Sequence, residues 1–184
     1  TAYENYDITP ASRAIMNFTL DQLSNWYVRL ARKRFWRGDI NADKQAAYET
    51  LYECLEVIAG LMSPVAPFYS DWLYQNLTSS LENKTLSVHL TDWKPSNENL
   101  INLSLENSMQ LAQDISSLVH SLRKKERLKV RQPLQKVLIP VLNEETKALI
   151  EHVEDLIKSE VNIKSIEYID DTSDILVKSV KPNF

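Results

Sequence analysis

Glycine is scarce in this chain: only Gly38 and Gly60 occur among its 184 residues, against a usual share of about 7%. Phosphate-binding loops need several glycines close together, so the sequence excludes the common glycine-rich nucleotide fingerprints. The scarcity also favours long helices over an architecture with many tight turns.

Cysteine and long apolar runs are missing as well. The single cysteine, Cys54, cannot form an internal disulfide, and its place in an apolar helical pattern predicts a buried, reduced thiol. No apolar run approaches the roughly 18 residues that cross a bilayer, and the first residues do not form a signal peptide. We therefore expect a cytoplasmic protein that has no membrane partner.

No constellation of catalytic or metal-binding residues stands out. His89, His120 and His152 are far apart and lack ligand partners at helical spacing. Nucleophile elbows, HExxH and CxxC patterns are absent, and the pair Asp170–Asp171 is most simply a turn. We therefore predict no catalytic residue, no metal site and no cofactor in this chain.

Positive charge is concentrated in two stretches, although the net charge is -4. The first basic stretch, positions 29–37, contains Arg29, Arg32, Lys33, Arg34 and Arg37 and no acid. The second basic stretch, positions 123–136, contains Arg123, Lys124, Lys125, Arg127, Lys129, Arg131 and Lys136, with Glu126 as its single acid. Because the rest of the chain is acidic, a polyanion is attracted to these two patches and repelled elsewhere.

Apolar spacing predicts four helices in the first two thirds of the chain. They run from Pro10, capped by Thr9, to Gly38; from a cap at Asn41–Asp43 to Ser63-Pro64; from Pro67 to Leu77; and from about Glu98 to Lys125. Side chains predicted to face inward include Ile15, Phe18, Leu20, Leu23, Phe68, Trp72, Leu73, Ala112, Val119 and Leu122. The segment 78–99 is predicted to be a loop that wraps back over these helices.

The hydrophobic period changes after Gln132-Pro133. Val137–Ile139 reads as a strand, Glu144–Ser159 as a helix capped by Asn143, and 163–169 and 175–180 as two further strands. We therefore predict a mainly α fold, with a helical bundle at 1–132 followed by a small α+β unit at 133–184.

Aromatic residues alternate with arginines between Leu23 and Trp36. On an α-helix, Asn25, Arg29, Arg32 and Trp36 share one face, and this mixture suits stacking on unpaired RNA bases and binding of phosphate. Spacing alone leaves a structural alternative open, in which Trp36 is core and the arginines form a solvated or ion-paired face. The second basic stretch has its own structural alternative, because cations are favoured at a helix C-terminus.

The segment Leu23–Arg29 followed by Arg34-Phe35-Trp36 resembles the anticodon-domain signature of the isoleucyl-tRNA synthetases. Three further segments resemble the same family in the same order: Ser87–Leu90 with Trp93, Lys129–Leu134, and Glu160–Lys164 with Lys181–Phe184. Leu30 departs from the family pattern, which usually has a polar or basic residue there. The valine and leucine synthetases share the helical bundle, so their equivalent domain remains an alternative.

The resemblance implies an anticodon-binding bundle and a junction unit, with isoleucine-accepting tRNA and the catalytic domain of the same enzyme as partners. The full-length enzyme uses ATP and magnesium to join isoleucine to tRNA, but its ATP signatures are absent here, so we expect this chain to be inactive alone. Predicted tRNA contacts are Asn25, Arg29, Arg32, Lys33, Arg34, Trp36, Arg37, Arg123, Lys124, Arg127, Lys129 and Arg131. The rival class is a helical protein-interaction scaffold that does not bind RNA.

In the resembled family another bundle helix precedes the segment that begins here near Glu4. We therefore expect an exposed apolar groove between the first and fourth long helices. The side chains expected to line this groove are Ile15, Phe18, Ile115 and Leu122.

Overall fold

The computed structural model describes residues 2–36, 38–141 and 143–169, and the chain packs as two compact units, Thr1–Ser96 and Asn97–Phe184. Arg37, the predicted turn at 170–171 and the strand predicted at 175–180 lie outside the described residues. Helices dominate both units, which confirms the mainly α prediction. No helix in the described ranges combines the length and apolar character that crossing a membrane requires.

The first unit begins with one helical run that changes its winding twice. It consists of α1 (Ile8–Asn17), a π-helical segment (Phe18–Val28) and, after a turn at Ala31, α2 (Arg32–Trp36). The predicted start at Pro10 is wrong, because α1 begins two residues earlier behind Asp7. Proline is accommodated there because the first turn of a helix has no internal acceptor for its N–H groups.

The π-helical segment corrects the predicted inward face of this run. Phe18 and Leu20 were predicted to face inward, but both are exposed, while Leu23 and Trp26 are buried. A π-helix takes more residues per turn than an α-helix, so positions that α-periodicity places together drift apart. Ile15, in the regular α1, is buried as predicted.

Two further helices, α3 (Ala42–Met62) and α4 (Pro67–Leu77), follow as predicted. The Asn41 side chain caps α3 by accepting a hydrogen bond from the Lys44 N–H at 2.8 Å. The predicted inward face of α4 is wrong: Phe68 is 92% exposed and Trp72 is more than half exposed. The helix instead buries Ser70 and Tyr74.

The segment after α4 packs back on the helices of the first unit. It contains a short 3-10 helix at Val88–Leu90, which contacts α3 and α4. Val88 is buried in a small core with Ala59, Tyr74 and the partly buried Leu73. Beyond it, the exposed indole of Trp93 contacts the Tyr3 ring edge-on at 5.8 Å between centroids. The loop therefore packs over the helices, as the sequence predicted.

Asp71 fixes this segment to α4. Its carboxylate oxygen Oδ1 accepts hydrogen bonds from the Ser87 hydroxyl at 2.6 Å and from the Val88 N–H at 3.0 Å. These two bonds hold the pKa of the Asp71 carboxyl below its usual range, the Ser87 bond being the larger cause.

The second unit contains a 3-10 turn (Glu98–Leu100), α5 (Leu103–Lys125), β1 (Leu134–Pro140), α6 (Glu144–His152), α7 (Glu154–Val161) and β2 (Ile163–Ile169). Its two strands are parallel, with Leu134 opposite Ile163 and Pro140 opposite Ile169. Three predicted bounds are corrected. α5 begins at Leu103 behind an Asn102 cap, and the helix predicted at 144–159 is divided at Val153. The strand predicted at 137–139 extends over the whole of β1.

The helices α5, α6 and α7 and both strands contribute to the core of the second unit. The buried apolar residues are Ala112, Val119, Ile139, Val141, Ile150, Val153, Ile157, Val161 and Ile163. α5 contacts both α6 and α7 and therefore belongs to the second unit. The two compact units divide before α5, near residue 96. Our boundary at 132/133, which concerns where the family domains divide, stays a prediction.

On α5, Ala112 and Val119 are buried as predicted, whereas Leu122 is exposed. The groove expected between the first and fourth long helices involves residues from both units and stays a prediction. Of its four expected lining residues, Ile15 is buried, Ile115 is partly buried, and Phe18 and Leu122 are exposed.

Candidate nucleic-acid interface

The first basic stretch lies on the end of the opening helical run. Arg29 follows the π-helical segment, and the five-residue α2 carries Arg32, Lys33, Arg34 and Trp36. Asn25, Arg29, Arg32 and Trp36, which were predicted to share one face, are all exposed. The stretch therefore presents both cations and an aromatic ring to solvent.

Aromatic packing behind α2 fixes its orientation. Phe35 contacts Tyr27 and Tyr48, with ring centroids 6.4 and 5.1 Å apart respectively. The Tyr48 hydroxyl donates a hydrogen bond to the Phe35 carbonyl at 3.2 Å, and the Tyr27 hydroxyl donates one to the Ala47 carbonyl at 3.1 Å. Because Phe35 faces α3, its neighbour Trp36 points outward.

The two tryptophans of this run have opposite environments. Trp26 is 7% exposed, and the Arg29 guanidinium lies 5.8 Å from its ring centroid. Trp36 is 80% exposed. The structural alternative for Trp36, a place in the core, is therefore excluded, whereas Trp26 is the core residue.

Arg34 is committed to an ion pair. Its guanidinium donates two bonds to the Asp43 carboxylate, from Nε to Oδ2 at 2.9 Å and from Nη2 to Oδ1 at 2.8 Å. A third bond runs from Nη2 to the Asp43 carbonyl at 2.9 Å. The structural alternative therefore applies to Arg34, which ties α2 to the first turn of α3.

Arg123, in the second basic stretch, is also used internally. The residue is 2% exposed, and its guanidinium donates to the backbone carbonyls of Lys129, Gln132, Val161 and Asn162. We had predicted a tRNA contact here, and burial removes Arg123 from the accessible surface. Its charge instead stabilises carbonyls at the C-terminus of α7.

The other predicted cations of the second basic stretch are exposed. Lys124 lies at the end of α5, and Arg127, Lys129 and Arg131 follow it. Arg127 adopts a positive φ of 56°. With this conformation, the Arg127 N–H donates to the Lys124 carbonyl at 3.2 Å, and the Leu128 N–H donates to the Arg123 carbonyl at 2.8 Å. These two hydrogen bonds form a Schellman motif that ends α5.

Ion pairing divides the surface lysines and arginines into two groups, and the paired group includes Arg34 and Lys136 of the basic stretches themselves. Lys94, Lys136, Lys147 and Lys158 each bind a carboxylate. Within the described ranges, the exposed cations that form no ion pair include Arg32, Lys33, Lys124, Lys125, Arg127, Lys129 and Arg131. Unpaired cations are available to an external anion, because no internal carboxylate has to be displaced.

Sequence reasoning missed the structural role of Arg123 and any role for Asn162. A signal for Arg123 was present, because Ser108, Ala112, Ser116, Val119 and Arg123 recur at helical spacing and are all buried on α5. No comparable pattern pointed to Asn162. It has a left-handed conformation after α7 and donates to the Val130 carbonyl at 2.9 Å.

The described residues hold no group of three or more His, Cys, Asp or Glu side chains arranged to bind a metal ion. His120 Nε2 lies 3.3 Å from Glu160 Oε1, and His89 Nε2 lies 3.2 Å from the Pro67 carbonyl. These contacts assign structural positions to both histidines.

Comparison with known proteins identifies the family of this chain. A family described as the anticodon-binding domain of tRNA ligase matches residues 1–139. The chain is 58% identical over 184 residues to isoleucine–tRNA ligase of Cytophaga hutchinsonii and 50% identical over 185 residues to that of Bacteroides thetaiotaomicron. It is also 37% identical over 183 residues to the enzyme of Treponema denticola.

These three matches cover 100% of this chain but only 17%, 16% and 16% of the relatives. The chain therefore spans about one sixth of the length of the curated relatives that it matches. Since the family match extends over three quarters of its residues, the chain belongs to the anticodon-binding domain family of tRNA ligases.

Proposed function

We propose that this chain binds the anticodon stem-loop of an isoleucine-accepting tRNA as part of an isoleucine–tRNA ligase. The first basic stretch is the main contact, and the exposed cations of the second basic stretch form a further phosphate-binding zone. The isoleucine assignment is supported by relatives that bear the name isoleucine–tRNA ligase and match along the whole of this chain.

The exposed Trp36 beside Arg32 and Lys33 is the single observation that carries this proposal. An indole that is 80% exposed in water leaves a large apolar surface uncovered, and a flat ring suits stacking on an unpaired base. Arg32 and Lys33 precede it on the same short helix, so they reach the phosphates that flank such a base. Phosphate contacts supply affinity, whereas the stacked base supplies discrimination.

The proposed contact surface differs from the sequence prediction at two residues. Arg123 is left out because it is buried, and Arg34 contributes mainly by holding α2 against α3 through Asp43. Arg37 lies outside the described residues and remains in the proposal on sequence grounds alone. Asn25 and Arg29 are exposed and stay in the proposed surface.

The whole enzyme would use ATP and magnesium, held by its catalytic domain, to join isoleucine to tRNA in the cytoplasm. That domain is therefore a proposed partner of this chain. The role of the chain is to raise the affinity for tRNA and its selectivity. The catalytic chemistry lies elsewhere in the enzyme.

One observation favours the second candidate, a protein-interaction scaffold. Phe68, Tyr69 and Trp72 form an exposed aromatic surface on α4, with the Tyr69 and Trp72 rings 5.7 Å apart. Aromatic residues are enriched in protein interfaces. This surface carries no basic residue of α4, so it does not suit a polyanion.

Titration of the 184-residue chain with an isoleucine tRNA transcript and with a non-cognate tRNA, at several salt concentrations, tests the proposal. We expect both affinities to fall steeply with salt and the isoleucine tRNA to bind more tightly. Undetectable or salt-independent binding would favour the scaffold instead.

A double variant sharpens this experiment. R32A/K33A should lose most of the tRNA affinity of the first basic stretch. The matched control is R13A/K164A, which removes two exposed cations outside both stretches and gives the same net charge. Equal losses in the two variants would mean that only the overall charge matters, and this result would contradict the assigned site.

A further inference from the structure

We propose that Arg123 and Asn162 are positioning residues, which hold the basic loop in a preset conformation for binding a phosphate backbone. The basic loop is defined as residues 126–133, between α5 and β1, and it carries Arg127, Lys129 and Arg131. This inference rests on the proposed tRNA binding, and it assigns a role to two residues that do not themselves touch RNA.

Arg123 binds the loop to the end of α7. Nη1 donates to the carbonyls of Lys129 at 3.2 Å and Gln132 at 3.0 Å. Nη2 donates to the carbonyls of Val161 at 2.8 Å and Asn162 at 3.1 Å. Each terminal nitrogen therefore spends both of its N–H groups on backbone acceptors.

No accessible donor of Arg123 remains for a phosphate. The fifth N–H group, on Nε, is buried and has no hydrogen-bond partner in the described part of the chain. A guanidinium 2% exposed and bonded to four carbonyls is a structural clamp. Lysine cannot replace it, because an ammonium group lacks the planar fork that reaches four acceptors on two segments.

Asn162, which lies between α7 and β2, holds the same loop through two hydrogen bonds. Its side-chain Nδ2 donates to the Val130 carbonyl at 2.9 Å, and its own carbonyl accepts from the Leu134 N–H at 3.2 Å. The backbone of Asn162 has φ 53° and ψ 60°, a left-handed conformation that asparagine tolerates better than most residues.

Together the two clamps bind backbone carbonyls of the loop and leave its basic side chains exposed. The carbonyls of Lys129, Val130 and Gln132 face Arg123 or Asn162, while Arg127, Lys129 and Arg131 are exposed. A loop that is already ordered loses less conformational entropy when it binds. The clamps therefore convert three scattered cations into one preorganised phosphate-binding surface.

Two variants test this inference in the full 184-residue chain. R123K keeps the charge and removes the fork. N162G keeps the left-handed backbone and removes the side-chain amide. The control K124A removes one exposed cation and leaves both clamps intact.

Amide hydrogen exchange and binding of the isoleucine tRNA transcript are measured for each variant. We expect R123K and N162G to speed exchange at Leu128 and Gln132, with the β1 amides unchanged, and to weaken tRNA binding about 3- to 10-fold. The slope of log affinity against log salt should become shallower, although neither residue contacts phosphate. K124A should weaken binding without changing loop exchange.

The outcomes separate this inference from the proposed function. If the parent chain binds tRNA, and the folded N162G variant binds with the same affinity and salt slope, the positioning role is wrong and the proposed function stands. If the parent chain does not bind tRNA, the proposed function fails, and the role in RNA binding fails with it. Should R123K unfold, N162G alone decides the question, because it preserves the backbone conformation.

Discussion

Arg34 and Asp43 form a forked ion pair that joins α2 to α3, with Nη2–Oδ1 and Nε–Oδ2 distances of 2.8 and 2.9 Å. Within the described residues, neighbouring Arg32 has no such partner and is exposed. Two arginines two positions apart therefore have different roles, one holding the helix in place and the other facing solvent.

R32A should weaken binding of every tRNA by a similar factor, because a phosphate contact does not depend on base sequence. The slope of log affinity against log salt should fall by somewhat less than one unit, as expected for one lost contact. Binding isotherms at four salt concentrations measure both quantities. R13A, the charge-matched control, should change the slope much less; a similar change in both variants would contradict the prediction.

Trp36 and Trp26 should respond in opposite ways to replacement by alanine. W36A removes an exposed ring, so we expect an unchanged melting temperature and a loss of tRNA affinity worth about 1–3 kcal/mol. W26A empties a buried site and should lower the free energy of unfolding by about 3–5 kcal/mol. Thermal melts and tRNA titrations of both variants measure these effects. A large drop in melting temperature for W36A would show that Trp36 acts through stability.

Asp71 should make the first unit sensitive to acid. The Ser87 and Val88 bonds lower its folded pKa below the ordinary 3.8, so its stabilising effect is present above 3.8 and is lost as the pH falls through the lower folded value. Urea unfolding at pH 7 and at several values below 4 measures this loss. D71N should unfold at lower urea than the parent at pH 7. Its acid dependence should be weaker, and an unchanged acid dependence would contradict this assignment.

The hydroxyl group of Tyr168 should ionise at a higher pH than an ordinary tyrosine. Burial, reinforced by the negative charge of Glu154, raises the pKa of Tyr168 to about 12 from the ordinary 10.0. The contribution of Tyr168 to stability is therefore complete below pH 10 and is lost between pH 10 and 12, because the unfolded chain ionises first. Tyrosinate absorbance of the parent and of Y168F, measured across this range, isolates the residue. Equal titration curves above pH 11 would contradict the prediction.

Local signals in the sequence were sufficient to predict several elements. Asn41 marks the start of α3, Pro67 that of α4, and a short run rich in isoleucine and tyrosine marks β2. In each case the chemistry that favours the element is local: a side-chain cap, a fixed φ or side chains that suit a strand. Elements of this kind can be predicted without knowledge of tertiary packing.

Other features depended on information that spacing does not contain. The aromatic spacing of α4 shows that Phe68 and Trp72 share a face, but it does not show whether anything covers that face. In the first helical run, the π-helical segment changes the period itself, so the positions assigned by α-periodicity were wrong at Phe18 and Leu20. A regular pattern predicts neighbours reliably only while the winding stays regular.

For the candidate site, charge clustering identified the two basic stretches but not how each cation is used. Arg34 finds its partner nine positions away, and Arg123 binds Val161, which is 38 positions away. Composition treats all these cations alike, because it contains no information about such long-range contacts. The division between internal and available cations emerges only from the folded chain.

The contrast between buried Trp26 and exposed Trp36, Trp72 and Trp93 has an optical consequence. Three of the four indoles are in contact with water, so the fluorescence of the folded chain is dominated by emitters that already resemble those of the unfolded chain. A soluble quencher such as acrylamide would reach these three readily and Trp26 poorly. Unfolding would therefore change the fluorescence mainly because Trp26 becomes exposed to water.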